Sequence, residues 1–116
     1  MEYPNVSILT PSYNRSKFVP LITHNLLNMN YDKSKLEWCI IDDGIEPFFT
    51  DETLKQTRET LKPIKINYKY ESVKRDIGVK RNALVKMSKN KICIMMDDDD
   101  IYFPSYIKHS IDVLKQ

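Results

Sequence analysis

Four consecutive aspartates, Asp97 to Asp100, stand between two apolar stretches of the sequence. Acidic runs usually lie in tails or linkers, whereas this one follows "ICIMM" and precedes "IYFP". Carboxylate oxygens without histidine or cysteine partners are the ligands that Mg²⁺ and Mn²⁺ prefer, with phosphate oxygens completing the coordination shell. The pattern indicates a site for a divalent cation and a phosphorylated ligand, and a solvated acidic loop is the structural alternative.

Three other polar segments contain residue types that suit a nucleotide. They are "TPSYNR" (10–15), "DDG" (42–44) and "ESVKRD" (71–76). Tyr13 could stack on a base. Three basic residues could complement phosphate charge: Lys74, Arg75 and Arg81. Each segment also has a purely structural interpretation, because Asn14 or Ser16 could cap a helix and Gly44 could supply a positive φ.

Short apolar runs alternate with helical patterns along the chain. Strands are predicted over residues 5–10, 36–44, 64–70 and 91–96, and helices over residues 16–29, 50–62, 77–87 and from Pro104 onwards. This alternation favours βαβ units with right-handed crossovers, and hence an α/β fold with a mostly parallel sheet and helices on both faces. The third helix is expected to bury Ile77, Leu84 and Val85.

Every predicted strand ends at one of the polar segments. Because the carboxyl ends of parallel strands meet at one edge of a sheet, the four segments should lie together where α/β proteins bind ligands. Placing Asp42 and Asp43 near the acidic run costs Coulomb energy and raises the proton affinity of the carboxylates, so a cation is expected to neutralise them. The joint placement, rather than any single residue, indicates a binding site.

The composition favours one domain over residues 1–116. With 18 basic and 16 acidic residues the formal net charge is +2, which gives no general attraction to nucleic acid. No apolar stretch approaches the roughly 20 residues of a membrane span, and the N-terminus lacks signal-peptide features, so we expect a soluble, cytoplasmic protein. Cys39 and Cys93 lie in separate apolar runs and are expected to be buried free thiols.

Four segments together resemble the nucleotide-binding half of family 2 glycosyltransferases of the GT-A fold. They are "VSILTPSYNR", "WCIIDDG", "RNALV" and "IMMDDDDIYFPSYI". The resemblance covers essentially the whole chain and implies a Rossmann-like sheet with strand order 3-2-1-4. It also implies transfer of a sugar, with inversion, from a nucleotide sugar to a glycan, protein or lipid acceptor. The implied donor is a UDP-sugar, and the implied cofactor is Mn²⁺ or Mg²⁺.

The resemblance also implies roles for individual residues. The implied nucleotide contacts are Thr10, Pro11, Ser12, Tyr13, Asp42, Asp43, Lys74, Arg81, Asp97 and Asp98. Pro11, Ser12 and Tyr13 would form the base and ribose pocket, with Thr10 behind them. Asp43, or else Asp42, would accept a hydrogen bond from the base. Arg81, with Lys74 or Arg75 as alternatives, would approach the phosphates.

The acidic run matches the DxD motif of the family. In one register, Asp97 faces the ribose and Asp99 binds the metal that bridges the diphosphate, so Asp97 and Asp99 are the implied metal residues. The shifted pair, Asp98 and Asp100, fits the motif as well, and the sequence leaves the register open. The metal would offset negative charge on the departing nucleoside diphosphate.

Two departures from the family pattern leave alternatives open. Ile45 and Glu46 follow "DDG" where the family usually has Ser or Thr, and the acceptor-binding half with its carboxylate general base is expected beyond Gln116. A non-catalytic nucleotide-binding module is therefore the second hypothesis. A Mg²⁺-dependent phosphoacceptor domain is a weaker third, because its acidic pair would follow the first strand. An open sheet edge would also permit homo-oligomers to form.

Overall fold

Four parallel strands form one sheet in the order β3-β2-β1-β4. The computed structural model describes residues 3–71, 73–98 and 100–114. Its strands are β1 (Val6–Ser12), β2 (Leu36–Asp42), β3 (Lys65–Tyr70) and β4 (Ile92–Met95). In the register of the two central strands, Ser12 stands opposite Asp42, so their polar ends are level with one another. The predicted parallel sheet with strand order 3-2-1-4 is confirmed.

Helices cover both faces of the sheet, as predicted. They are α1 (Val19–Leu27), α2 (Asp51–Leu61), α3 (Ile77–Met87) and α4 (Tyr106–Leu114), with short 3-10 turns at Ser16–Phe18 and Lys33–Lys35. Within the described ranges, no helix has both the length and the hydropathy needed to cross a membrane.

The central strands β1 and β2 are buried along their whole length because helices pack on both sides of them. On one face, the larger core joins the sheet to α1, α2 and α4, and it includes Ile8, Trp38, Ile40, Ile22, Leu61 and Ile107. On the other face, Leu84 of α3 packs against Leu9, Cys39 and Ile41. Successive side chains of each strand therefore enter two different cores.

Helix α3 packs through a different face from the one predicted. Ile77 and Val85, expected in the core, are 54% and 53% exposed, and only Leu84 of the predicted three is buried. The buried positions of the helix are Lys80 and Leu84, which lie four residues apart on one side. A buried lysine, which an analysis of apolar spacing ignores, therefore shares the inward face of this helix.

Ser16 does not cap α1, in contrast to one interpretation of the sequence. It begins the 3-10 turn Ser16–Phe18, and the residue before α1 is Phe18, whose side chain makes no capping hydrogen bond. Pro20 lies in the first turn of α1, where the N–H group that proline lacks would have no partner within the helix. The chain therefore enters α1 through a tight turn instead of a polar cap.

Thr50 caps α2, and the cap provides a test of local stability. Its hydroxyl accepts from the Thr53 N–H at 3.1 Å, and the Thr53 hydroxyl accepts from the Thr50 N–H at 2.8 Å. Thr50→Ala is expected to lower the free energy of unfolding by about 1 kcal/mol, measured by urea denaturation. Thr60→Ala, on the exposed surface of the same helix, is the control and should change it by about 0.5 kcal/mol or less. Equal effects of the two substitutions would contradict this assignment.

Both cysteines are free thiols, as predicted. Cys39 is buried within the sheet, as expected, whereas Cys93 on β4 is only half-buried. Burial, together with the nearby Glu37 carboxylate, raises the pKa of the Cys39 thiol to about 12. This thiol therefore stays protonated and unreactive at neutral pH.

Candidate functional site

A cleft of about 270 Å³ lies beyond the carboxyl ends of β1 and β4. It is lined by Pro11, Tyr13, Arg15, Ile77, Lys80, Asp97 and Asp98. Strand β1 has β2 on one side and β4 on the other, so the strand order reverses at this position. Such a switch point is the usual ligand site of an open α/β sheet. The structure thus brings together the polar segments that follow the first and fourth strands, and it adds the start of α3.

The two described aspartates that line the cleft have different environments. Asp98 is buried, and its Oδ2 accepts a hydrogen bond of 2.7 Å from the Ser12 hydroxyl. Asp97 is exposed, and its backbone N–H donates to the Tyr102 hydroxyl at 2.8 Å. One carboxylate is therefore held against the end of β1, while the other faces solvent and can bind a ligand.

Asn25 holds the backbone of the acidic segment, a role that the sequence analysis missed. Its side-chain amide donates to the Asp100 carbonyl at 2.8 Å, and its Oδ1 accepts from the Tyr102 N–H at 3.2 Å. Asn25 is only 2% exposed and lies three residues after buried Ile22 on α1. A polar residue at an inward position of an otherwise apolar helix face was the available signal.

Asp43 and Lys80 form a buried ion pair beside the cleft. The Lys80 Nζ lies 2.9 Å from Asp43 Oδ1 and 3.3 Å from the Ser12 carbonyl oxygen, and the Arg75 N–H donates to Asp43 Oδ2 at 2.6 Å. Burial alone would raise the pKa of Asp43, but the Arg75 amide and the Lys80 ammonium outweigh it and hold that pKa below its usual range. The cation expected to neutralise Asp43 is thus a lysine that the sequence analysis did not select.

Lys80, and not Asp43, forms the surface of the cleft. The Asp43 side chain is fully buried, whereas 7% of the Lys80 side chain is exposed and lines the cleft. Asp43 was predicted to accept a hydrogen bond from the base. The structure places it behind Lys80, away from the surface that a ligand would contact.

Asp42 also lies away from the cleft surface. It is fully buried, and its carboxylate accepts from the N–H groups of Gly44 and Phe48 at 3.0 and 2.5 Å and from the Tyr68 hydroxyl at 3.0 Å. These three hydrogen bonds fix the loop that follows β2. The two adjacent acids of "DDG" thus have different tasks, since Asp42 holds this loop and Asp43 pairs with Lys80.

The loops after β1 and β2 lie in close contact. Asn14 has a φ of 54°, and its Oδ1 accepts from the N–H groups of Ile45 and Glu46 at 2.6 and 3.3 Å. Gly44 does not have a positive φ, in contrast to the structural interpretation of the sequence. A Cβ atom at Gly44 would lie 2.4 Å from the Asn14 nitrogen, so glycine is needed for the close approach. Asn14 therefore joins two loops instead of capping a helix.

The three basic residues selected from the sequence occupy separate positions. The Lys74 ammonium lies 4.5 Å from the centre of the Tyr13 ring, so it covers a ring that was expected to stack on a base. Arg75 pairs through Nε with Glu71 at 2.6 Å. Arg81 is exposed and is not among the described residues that line the cleft. The basic side chains on the described wall of the cleft are instead Arg15 and Lys80.

Thr10 and the remaining aspartates complete the set of predicted residues. Thr10 is fully buried, where its hydroxyl donates to the Met96 carbonyl at 2.8 Å and accepts from the Trp38 indole N–H at 2.9 Å. It is not among the described residues that line the cleft, and its two hydrogen bonds hold the core. Asp100 is exposed and does not line the described wall of the cleft. Asp99 lies outside the described residues.

The donor chemistry of the cleft fits a loosely held divalent cation. Among the residues that the structure describes, no group of three or more His, Cys, Asp or Glu side chains is arranged to hold a metal. Asp97 offers an exposed carboxylate, which is a suitable hard-oxygen ligand. Mg²⁺ and Mn²⁺ bound through one or two carboxylates take their remaining ligands from water and phosphates, so a cation here would depend on a phosphorylated partner.

Solved glycosyltransferases share this fold. A mannosyltransferase from Pyrobaculum calidifontis, solved with GDP-Man and Mn²⁺, has a TM-score of 0.85 over 100% of this chain and 34% of its own, at 18% identity. Residues 1–349 of TarS from Staphylococcus aureus, solved with UDP-GlcNAc, have a TM-score of 0.75 over 96% of this chain and 31% of theirs, at 20% identity. The fold is therefore that of GT-A glycosyltransferases, and this chain corresponds to about a third of each solved neighbour.

The sequence comparison defines the family. The chain belongs to glycosyl transferase family 2, whose family model matches residues 7–116. Chondroitin synthase of Escherichia coli is 28% identical over 113 residues, which make up 97% of this chain and 16% of that protein. The chain spans between 16% and 33% of the length of the curated relatives that it matches. The resemblance found in the sequence motifs is confirmed.

Proposed function

We propose that this chain is the donor-binding part of an inverting glycosyltransferase that takes a sugar from a UDP-sugar. The observation that carries the proposal is the cleft at the switch point of the sheet, where Tyr13, Lys80 and Asp97 meet. Family membership supports sugar transfer, and the GDP-Man and UDP-GlcNAc of the two solved relatives support a nucleotide sugar as donor. The acceptor is a hydroxyl of a glycan, a protein or a lipid.

In this proposal, the cleft holds the base beside Tyr13 and the diphosphate beside the aspartates. Pro11 and Tyr13 offer a rigid apolar surface to the base and ribose. Displacement of Lys74 would free the face of the Tyr13 ring that its ammonium now covers, and would release a positive charge for the phosphates. Arg15, on the same wall, would also complement phosphate charge.

The acidic residues would hold Mn²⁺ or Mg²⁺ together with the diphosphate. Asp97 is exposed and would bind the cation, with Asp99 as its partner in the first register of the motif. The Ser12 hydroxyl keeps Asp98 in place, and Asn25 keeps the backbone after it in place. When bound, the cation supplies Lewis-acid stabilisation of the departing diphosphate. The Mn²⁺ bound in the mannosyltransferase structure supports a divalent cation.

Calorimetric titration with UDP, GDP and CDP, each with and without Mn²⁺, tests the proposal. We expect UDP to bind most tightly and its affinity to rise when Mn²⁺ is present, because the cation joins the diphosphate to the acidic residues. Failure to bind any nucleoside diphosphate with either Mn²⁺ or Mg²⁺ would overturn the proposal. Tighter binding of GDP or CDP would overturn the choice of a UDP-sugar, and identical affinities with and without the cation would overturn the metal requirement.

A further inference from the structure

The buried carboxylate of Asp43 is fully engaged by the protein. Its Oδ1 accepts from the Lys80 ammonium at 2.9 Å and its Oδ2 from the Arg75 N–H at 2.6 Å, and its side chain has no exposed surface. A ligand in the cleft therefore meets Lys80 before it could reach Asp43. Where Lys80 forms the surface of the cleft, the protein can offer only hydrogen-bond donors, because an ammonium has no acceptor.

Lys80 is held in place and retains donor capacity. An ammonium carries three N–H groups, and the described residues supply two acceptors, Asp43 Oδ1 and the Ser12 carbonyl oxygen. Within the described part of the chain, one N–H is thus available to an acceptor in the cleft that Lys80 lines. The side chain is 7% exposed, so little conformational freedom remains to be lost when a ligand binds.

We propose that Lys80 is a specificity residue for the nucleobase, donating a hydrogen bond to a carbonyl oxygen on the edge of the base. This inference rests on the proposed function, since it assumes that the cleft binds a nucleoside diphosphate. It assigns base recognition to a lysine on α3, with Asp43 as the residue that positions the ammonium. Uracil, cytosine and guanine each carry a carbonyl oxygen that satisfies such a donor, whereas adenine carries none.

The surroundings of Lys80 favour a base carbonyl over a phosphate. The ammonium lies 6.0 Å from the centre of the Tyr13 ring, so it stands beside the surface offered to the base. Its charge is already matched by Asp43 at 2.9 Å, and the pair as a whole is neutral. A neutral pair gives little net attraction to a phosphate group but can still donate to a neutral carbonyl. Arg15, on the same wall, carries a planar guanidinium whose fork of N–H donors matches the geometry of a phosphate group.

The test compares UDP with pyrophosphate, which has the phosphates but no base. In calorimetric titrations with Mn²⁺, Lys80→Met is expected to weaken UDP binding about ten- to hundredfold, as for loss of a hydrogen bond from a charged group. Pyrophosphate should lose clearly less affinity than UDP, because its phosphate contacts are intact and only the uncompensated charge of Asp43 acts against it. Equal weakening of both ligands, or unchanged UDP binding, would overturn the inference.

Two further variants provide a neutral replacement of the ion pair and a control on the same wall of the cleft. Lys80→Met leaves Asp43 buried without its partner, so the double variant Lys80→Met with Asp43→Asn supplies a neutral replacement in case the single variant does not fold. It should show the same selective loss of UDP affinity. Arg15→Gln is the matched control on the same wall and should weaken UDP and pyrophosphate alike. If wild-type chain binds pyrophosphate but not UDP, this inference fails; if it binds neither, the proposed function fails with it.

Discussion

Asp43→Ala is expected to lower the free energy of unfolding by about 3–5 kcal/mol at neutral pH. The substitution leaves the Lys80 ammonium buried without a counter-charge and removes the acceptor of the Arg75 N–H. Taking one partner from a buried ion pair is costly because the remaining charge has lost both water and its neighbour. Urea denaturation followed by the fluorescence of Trp38, the only tryptophan of the sequence, measures the change.

A double variant separates the ion pair from simple packing. Asp43→Asn combined with Lys80→Met removes both charges and keeps side chains of similar size. Neutral replacement of a buried ion pair is often close to neutral in stability, so this variant should be clearly more stable than Asp43→Ala. If both variants lost the same free energy, the charge imbalance would not be the cause.

The effect of Asp43→Ala should also depend on pH. The pKa of Asp43 is lower in the folded chain than in the unfolded chain, because the Arg75 amide and Lys80 outweigh the effect of burial. Its stabilising contribution is therefore fully present above the unfolded value of about 3.9 and is lost as the pH falls through the folded value. The stability difference between wild type and variant should be constant from about pH 7 to pH 5 and shrink below about pH 4. A difference that persisted at full size in acid would argue against the ion pair.

Asp97→Asn is expected to remove most of the Mn²⁺-dependent gain in UDP affinity, a loss of at least about tenfold. Asparagine keeps the size of the side chain but loses the negative charge that a hard cation requires. Stability should change by about 0.5 kcal/mol or less, because Asp97 is exposed and its backbone bond to Tyr102 remains. Titration of the variant with UDP, with and without Mn²⁺, measures the loss.

Parallel variants resolve the register of the acidic motif. If Asp97 and Asp99 form the metal pair, Asp99→Asn should also abolish the effect of Mn²⁺ and leave the fold intact, whereas Asp100→Asn should retain it. The opposite pattern would assign the metal to the shifted pair. Asp112→Asn, on α4 away from the cleft, is the control and should behave like wild type. Wild-type Mn²⁺ dependence in both Asp97→Asn and Asp99→Asn would rule out the first register.

The sheet and its functional edge could be predicted because the relevant signals are local. Each strand is an apolar run that ends at polar residues, and the alternation with helices leaves few arrangements other than a parallel sheet. The carboxyl ends then meet at one edge by topology alone. The meeting of Tyr13 with Asp97 and Asp98 follows from these elements without knowledge of any side-chain contact.

The chemistry of the cleft wall could not be predicted in the same way. Apolar spacing selected Ile77 and Val85 as the inward face of α3, whereas the helix buries Lys80 because Asp43 of a distant loop supplies its counter-charge. A pairing between residues 37 positions apart has no local signal. The different roles of Asp42 and Asp43 could not be predicted either. They depend on which face of the sheet each side chain enters, and on the presence of Phe48 and Tyr68, which donate hydrogen bonds to Asp42, at one of those faces.

Paramagnetic line broadening in NMR spectra is the most direct test of the donor cleft. A small amount of Mn²⁺ is added to the ¹⁵N-labelled chain, once with UDP and once without it. We expect broadening with UDP to be strongest at the amide signals of Ser12, Tyr13 and Asp98, and to be much weaker without UDP. Broadening centred on other acidic surfaces, such as Asp51 and Glu52 at the start of α2, or no dependence on UDP, would contradict the assignment of the cleft as a nucleotide-sugar site.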